Sequence, residues 1–142
     1  MMPIIMPPTR VRILGAALLL GALSAGTPFA ADIGVTLSGA NEVPPVTTSA
    51  SGGGTITVND DGSVAGSVTT TGVAGTAAHI HEGAADKNGP VIIPLTKEED
   101  AYKVPAGAKL TEAQMTSFKA GNLYINVHSA ANPGGEIRGQ LR

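Results

Sequence analysis

The run Leu123-Tyr124-Ile125-Asn126-Val127-His128 alternates apolar and polar residues without a break, and no other feature so narrows what this chain can fold into. A period of two places Leu123, Ile125 and Val127 on one face of an extended strand, with Tyr124, Asn126 and His128 on the other. Related patterns recur from Ile33 to Gly39, Thr55 to Val58, Ser63 to Thr70, around His79, and from Gly135 to Leu141. Pro90 to Leu95 is a short apolar run with prolines near its ends, which suits an edge strand. Seven short strands with a turn every ten residues or so predict an all-β fold, an antiparallel sandwich. Asn59-Asp60-Asp61-Gly62 and Asn132-Pro133-Gly134-Gly135 are turn signals, so the strands flanking each should be hairpin partners. The first lacks the remaining acidic positions of a calcium loop, and turn chemistry accounts for its aspartates. Thr47 to Gly54, rich in Ser, Thr and Gly, reads as a loop or a loosely held edge, and Glu98-Glu99-Asp100 as a solvated turn.

One helix interrupts the strands, over Thr111 to Ala120. Thr111 and Gln114 fit a capping box, Gly121 fits the position just past the helix end, and Leu110, Met115 and Phe118 form a buried stripe. The chain has no cysteine and only two tyrosines and two phenylalanines, so a core must be built from Val, Ile, Leu and Ala without disulfides.

Arg10 and Arg12 precede an apolar run from Ile13 to Leu23, eleven residues long, which suits a secretory signal and is too short to span a bilayer. Residues 1–31 are therefore expected to be a signal peptide cleaved after Ala30 or Ala31, with Ser24-Ala25-Gly26 an alternative site and an uncleaved anchor the competing reading. Residues 32–142 are then one domain, periplasmic or secreted. That domain carries 7 basic and 11 acidic residues, a net charge of −4, and offers no electrostatic footprint for nucleic acid. No basic amphipathic helix directs it to a membrane surface after cleavage.

All three histidines fall in strand-like segments. In Ala78-His79-Ile80-His81 alternation turns Ile80 one way and both imidazoles the other, and His128 lies on the polar face of its own strand. If the two strands are close, His79, His81 and His128 converge and could hold one ion. Imidazole suits Cu(II) and Zn(II), and the divalent affinity order places copper above zinc, so copper is the expected ion. A fourth position is open to water, Glu82 or Met115. The alternative is that the three are ordinary exposed or hydrogen-bonded strand residues. Arg138 and Glu136 alternate with Ile137 on the final strand and read as a surface cross-strand pair worth well under ~1 kcal/mol. No nucleophile motif, acid–base pair or aromatic pocket points to an enzyme.

Taken in order, Leu37-Ser38-Gly39-Ala40-Asn41-Glu42-Val43-Pro44-Pro45, Ala78-His79-Ile80-His81-Glu82-Gly83, Gly89-Pro90-Val91, Leu110-Thr111, Gly121 to Ser129 and Asn132 to Leu141 resemble the CHRD domain, a module named after chordin and also found as a stand-alone secreted bacterial protein. The resemblance implies an immunoglobulin-like or superoxide-dismutase-like sandwich. It also implies copper binding or sequestration through His79, His81 and His128, or, as in chordin, a metal-free module that binds another extracytoplasmic protein. A copper redox enzyme is the least favoured reading. His-x-His-Glu is similar to the copper strand of Cu/Zn superoxide dismutase, but three imidazoles cannot complete that enzyme's bridged metal pair.

Overall fold

The computed structural model describes residues 30–142. The expected signal segment lies outside the described residues except for Ala30 and Ala31, which form the start of β1. Among the described residues nine strands follow one another as β1 (Ala30–Ser38), β2 (Ser51–Asn59), β3 (Val64–Thr71), β4 (Gly75–Glu82), β5 (Val91–Pro94), β6 (Thr96–Glu98), β7 (Ala101–Lys103), β8 (Leu123–Ser129) and β9 (Ile137–Gln140). A 3-10 turn, Gly39–Asn41, follows β1, and the single α-helix among the described residues, α1 (Glu112–Lys119), precedes β8. None of the described helices is long and apolar enough to cross a membrane.

The strands pair in the order β5-β4-β8-β9-β1-β2-β3-β7-β6, and every pairing is antiparallel. A single residue pair, Ser38 with Arg138, joins the β5-β4-β8-β9 half to the rest. There the sheet folds over, and Leu95 N–H donates to Ala78 O at 3.0 Å while Lys97 Nζ donates to Gly75 O at 2.7 Å, tying the far ends together. The result is a sandwich approaching a closed barrel, as the alternation predicts. Its core is one aliphatic cluster, with Val35 and Leu37 of β1, Ile56 of β2, Val68 of β3, Ile80 of β4, Leu123, Ile125 and Val127 of β8 and Ile137 of β9 all buried.

Both predicted hairpins form, β2 with β3 and β8 with β9. The first turn is closed by Asp61, whose Oδ1 accepts from the backbone N–H and hydroxyl of Ser63, and by Gly62 at φ +85°. The capping box is present in full, and Gly121 takes φ +78°. Leu110 is buried as expected, while Met115 and Phe118 are only partly so.

Three expectations need correction. Ser51 to Gly54 is neither loop nor edge but the first half of β2, paired on both sides. A Cβ at Gly54 would run into Ser67 O on β3, so glycine there permits close strand approach, not a break. The segment from 96 to 103 contains two further strands, β6 and β7, closed by Glu99 at φ +56°. All three β6 residues are exposed, so no apolar alternation marks it. Finally, Arg138 and Glu136 are not a surface pair: both are buried, Arg138 at 1% exposure, and each has its own partners.

Candidate metal centre

Register decides what faces what. Across β4 and β8, Ala77 lies opposite His128, His79 opposite Asn126, and His81 opposite Tyr124. Alternation then puts His79, His81, Tyr124, Asn126 and His128 together on the face of this layer that points away from the apolar core. Yet that face is covered. Tyr124 and Asn126 are 2% exposed, and β8 is buried on both sides from Leu123 to Val127. The segments that contact these side chains include Glu42, the loop from Gly83 to Gly89 and the turn before β9.

The three imidazoles do converge: one ring nitrogen from each of His79, His81 and His128 lies within 4.8 Å of the other two. Their orientation is set by backbone carbonyls. His81 Nδ1 is 2.9 Å from Gly89 O and His128 Nδ1 is 2.8 Å from Pro133 O, so both nitrogens must carry the proton and donate. Each neutral ring is then left with a lone pair on Nε2, the arrangement by which an outer hydrogen bond fixes the tautomer of a metal-binding histidine. His79 Nδ1 stands 3.1 Å from His128 Nε2 and donates to it. An ion at the cluster would take the place of that shared proton. His81 Nε2 is buried with no hydrogen-bond partner.

Burial, reinforced by the neighbouring His128 and His81, lowers the pKa of His79. Burial also lowers that of His81, with the Gly89 and Asn126 contacts pulling the other way and His128 and Arg138 adding to the fall. Both rings are therefore held neutral, as a ligand must be.

Around the cluster lies a polar layer built from residues far apart in sequence. The Tyr124 ring is stacked parallel to His81 at 4.8 Å, and the Arg138 guanidinium lies 3.4 Å from its centroid. Arg138 also donates to Ala84 O at 2.7 Å and, at 3.3 Å each, to Asn88 Oδ1 and Gln140 Oε1. It thus pins the loop whose Gly89 carbonyl orients His81. Glu136 accepts from Ser129, Thr48 and Asn132 at 2.7, 2.9 and 3.1 Å, and these bonds hold its pKa below the usual carboxylate range. Glu42 is 4% exposed, and desolvation pushes its carboxyl up to about 7 against the pull of Arg138 and Asn126.

Of the sequence candidates, His79, His81 and His128 are brought together, while Glu82 and Met115 are not. Glu82 pairs with Leu123 and shares the face of Ile80, away from the imidazoles. Met115 packs against the apolar core from α1, beside Asp61 and Lys109. Nothing in the local pattern around Glu42 singles it out. Tyr124 and Asn126 could have been found, because alternation already placed them beside His128.

Three imidazoles whose ring nitrogens converge, two offering lone pairs and the third a proton that an ion would displace, form a donor set for a borderline divalent ion. The same positions sit inside the ordered segments that resemble the CHRD domain. No curated protein and no solved structure matches the chain. A family model of the CHRD domain matches residues 33–141, which takes in β2 to β9, most of β1 and all three histidines, and the chain belongs to the CHRD-domain family.

Proposed function

We propose that this domain is an exported metal-binding module that sequesters or carries copper through His79, His81 and His128. The observation that carries the reading is the convergence of three ring nitrogens within 4.8 Å of one another. Two of the rings are turned to the cluster by Nδ1 bonds to carbonyls, and the third already shares a proton there, so little rearrangement is needed to make the cluster a ligand set. A bound copper would supply Lewis acidity or an electron-transfer couple. What the chain contributes is three neutral donors, their orientation and the loops that cover them. Copper is preferred to zinc because an all-imidazole set offers no selection against the stronger binder in the divalent series.

The test is titration of Cu(II) and Zn(II) into the wild type and the His79→Ala, His81→Ala and His128→Ala variants, with electron paramagnetic resonance of the Cu(II) form. Nitrogen hyperfine coupling in the wild type, and loss of affinity in every variant, is the expected result. Equal behaviour of all four proteins would eliminate the site and leave a metal-free module that binds another extracytoplasmic protein.

A further inference from the structure

Three buried side-chain atoms among the described residues have no hydrogen-bond partner: His81 Nε2, Asn126 Oδ1 and Glu42 Oε1. Buried polar atoms are seldom left so. These three belong to one patch, because Asn126 sits diagonal to His81 across the β4–β8 pair and a Cβ on Gly135 would meet both the Asn126 amide and the Glu42 carboxyl.

The orientation of the amide follows from its partners. Asn126 Nδ2 donates to Gly134 O at 3.4 Å. It also lies on the Glu42 side, since a Cβ built on Gly135 would meet both Asn126 Nδ2 and Glu42 Oε1. The Gly134 carbonyl fixes the NH₂ there, which leaves Oδ1 as the amide atom without a partner. Gly135, at φ +123°, is the residue that leaves room for this arrangement. On the other side of the gap, His81 Nδ1 holds its ring's one proton against Gly89 O, so Nε2 offers only a lone pair. Two acceptors, on side chains diagonal to each other across β4 and β8, are thus buried without a donor. Such a pair is unfavourable alone and is satisfied by a cation.

Register places that cation among the histidines. On β8, Asn126 sits directly opposite His79 and two residues from His128, with His81 diagonal to it across the strand pair. Of the residues on this face, only Asn126 neighbours all three imidazoles. We propose that Asn126 Oδ1 is the fourth protein donor, completing a three-nitrogen, one-oxygen site with Glu42 and Gly135 positioning its amide. The inference rests on the three-histidine reading and adds a consequence for the ion. An amide oxygen is a hard donor, suited to a divalent ion and poorly to Cu(I), so the site should favour Cu(II) and resist reduction.

Zinc-loaded wild-type protein with side-chain ¹³C-labelled asparagine gives a direct reading without substitution. Zn(II) should move the Asn126 ¹³Cγ resonance and leave those of Asn41, Asn59 and Asn122 in place, while shifting the three histidines. Histidine shifts with an unmoved Asn126 ¹³Cγ would overturn the fourth-donor assignment and leave the three-histidine site standing. No shift of either would remove both. In parallel, Cu(II) and Cu(I) titrations compare the wild type with Asn126→Leu and Asn126→Asp, each checked by its thermal midpoint. Asn126→Leu should lose about tenfold or more in Cu(II) affinity and under about threefold in Cu(I), whereas Asn126→Asp should retain Cu(II) binding. Equal losses for the two oxidation states in a folded Asn126→Leu protein would overturn the proposal.

Discussion

Replacing Arg138 with alanine separates a buried anchor from a surface residue by its magnitude. The side chain is 1% exposed, covers the Tyr124 ring at 3.4 Å, and donates to Ala84 O, Asn88 Oδ1 and Gln140 Oε1. Truncation removes the donor from three acceptors, of which Ala84 O and Gln140 Oε1 belong to half-buried residues and Asn88 Oδ1 to an exposed one. The 2.7 Å bond to Ala84 is worth roughly 2 kcal/mol as a charge-assisted contact, and the two at 3.3 Å together roughly 1. Loss of a desolvated guanidinium over an aromatic ring adds roughly 1–2 kcal/mol. These terms are not additive in full, so a total of about 4 kcal/mol is expected, a large part of the 5–15 kcal/mol available to such a domain. Arg138→Lys keeps the charge but not the planar fork, and should cost about half as much. Urea unfolding at pH 7 measures both. Because Arg138 pins the loop that carries Gly89, Cu(II) affinity of the alanine variant should also fall by about tenfold. A destabilisation under about 1 kcal/mol, the value for an exposed cross-strand residue, would refute the reasoning.

Thr111→Ala removes the side chain that accepts from Gln114 N–H and should cost about 1 kcal/mol in unfolding experiments with no change in metal affinity, since α1 packs through Met115 and Phe118 against the apolar core, from which the imidazole face points away. Gly135→Ala forces a Cβ into Asn126 and Glu42 at a positive φ, and should lower the thermal midpoint and weaken Cu(II) binding together. Glu42 makes stability depend on pH with a definite sign: its carboxyl, pushed from 4.5 to about 7 in the folded state, holds a proton that the unfolded chain has already lost. Its contribution is therefore intact below about pH 4.5 and declines as pH rises to about 7, by a few kcal/mol at most. The lowered His79 and His81 slope the other way below 6.5, so the difference between wild type and Glu42→Gln isolates the Glu42 effect in urea unfolding across pH 4 to 8. A difference that stays constant across that range would contradict it.

Wherever strands alternate one apolar with one polar residue, the sequence could be read residue by residue. Leu123, Ile125 and Val127 bury as expected, the two hairpins close at the predicted turns, and the two histidine segments are neighbours, so the imidazoles meet. The glycines of β2 misled because composition alone cannot tell a glycine that bends the backbone from one that lets a neighbouring strand approach. β6 and β7 escaped because three-residue exposed strands carry no apolar period.

The deeper failure concerns the polar face. Alternation states which residues share a side, but it cannot state whether that side meets water or another segment, because the covering residues are distant in sequence. Arg138 finds its loop partners Ala84 and Asn88 some fifty positions away, and Glu136 finds Thr48 88 positions away. A charged residue read from local pattern alone is assigned to solvent, and here that assignment is wrong for both. The consequence is energetic as well as descriptive. A buried layer of Arg138, Glu136, Glu42 and Asn126 gives up hydration that an apolar layer would not need, and in a chain so poor in aromatics it takes up one of only two tyrosines. Stability alone does not account for that choice, since well-packed apolar residues would serve as well or better. Fixing the tautomer and angle of His81 does account for it. Tyr124 stacks on the ring, Arg138 holds both Tyr124 and the loop bearing Gly89, and each of these groups loses its purpose if the imidazole is free to turn.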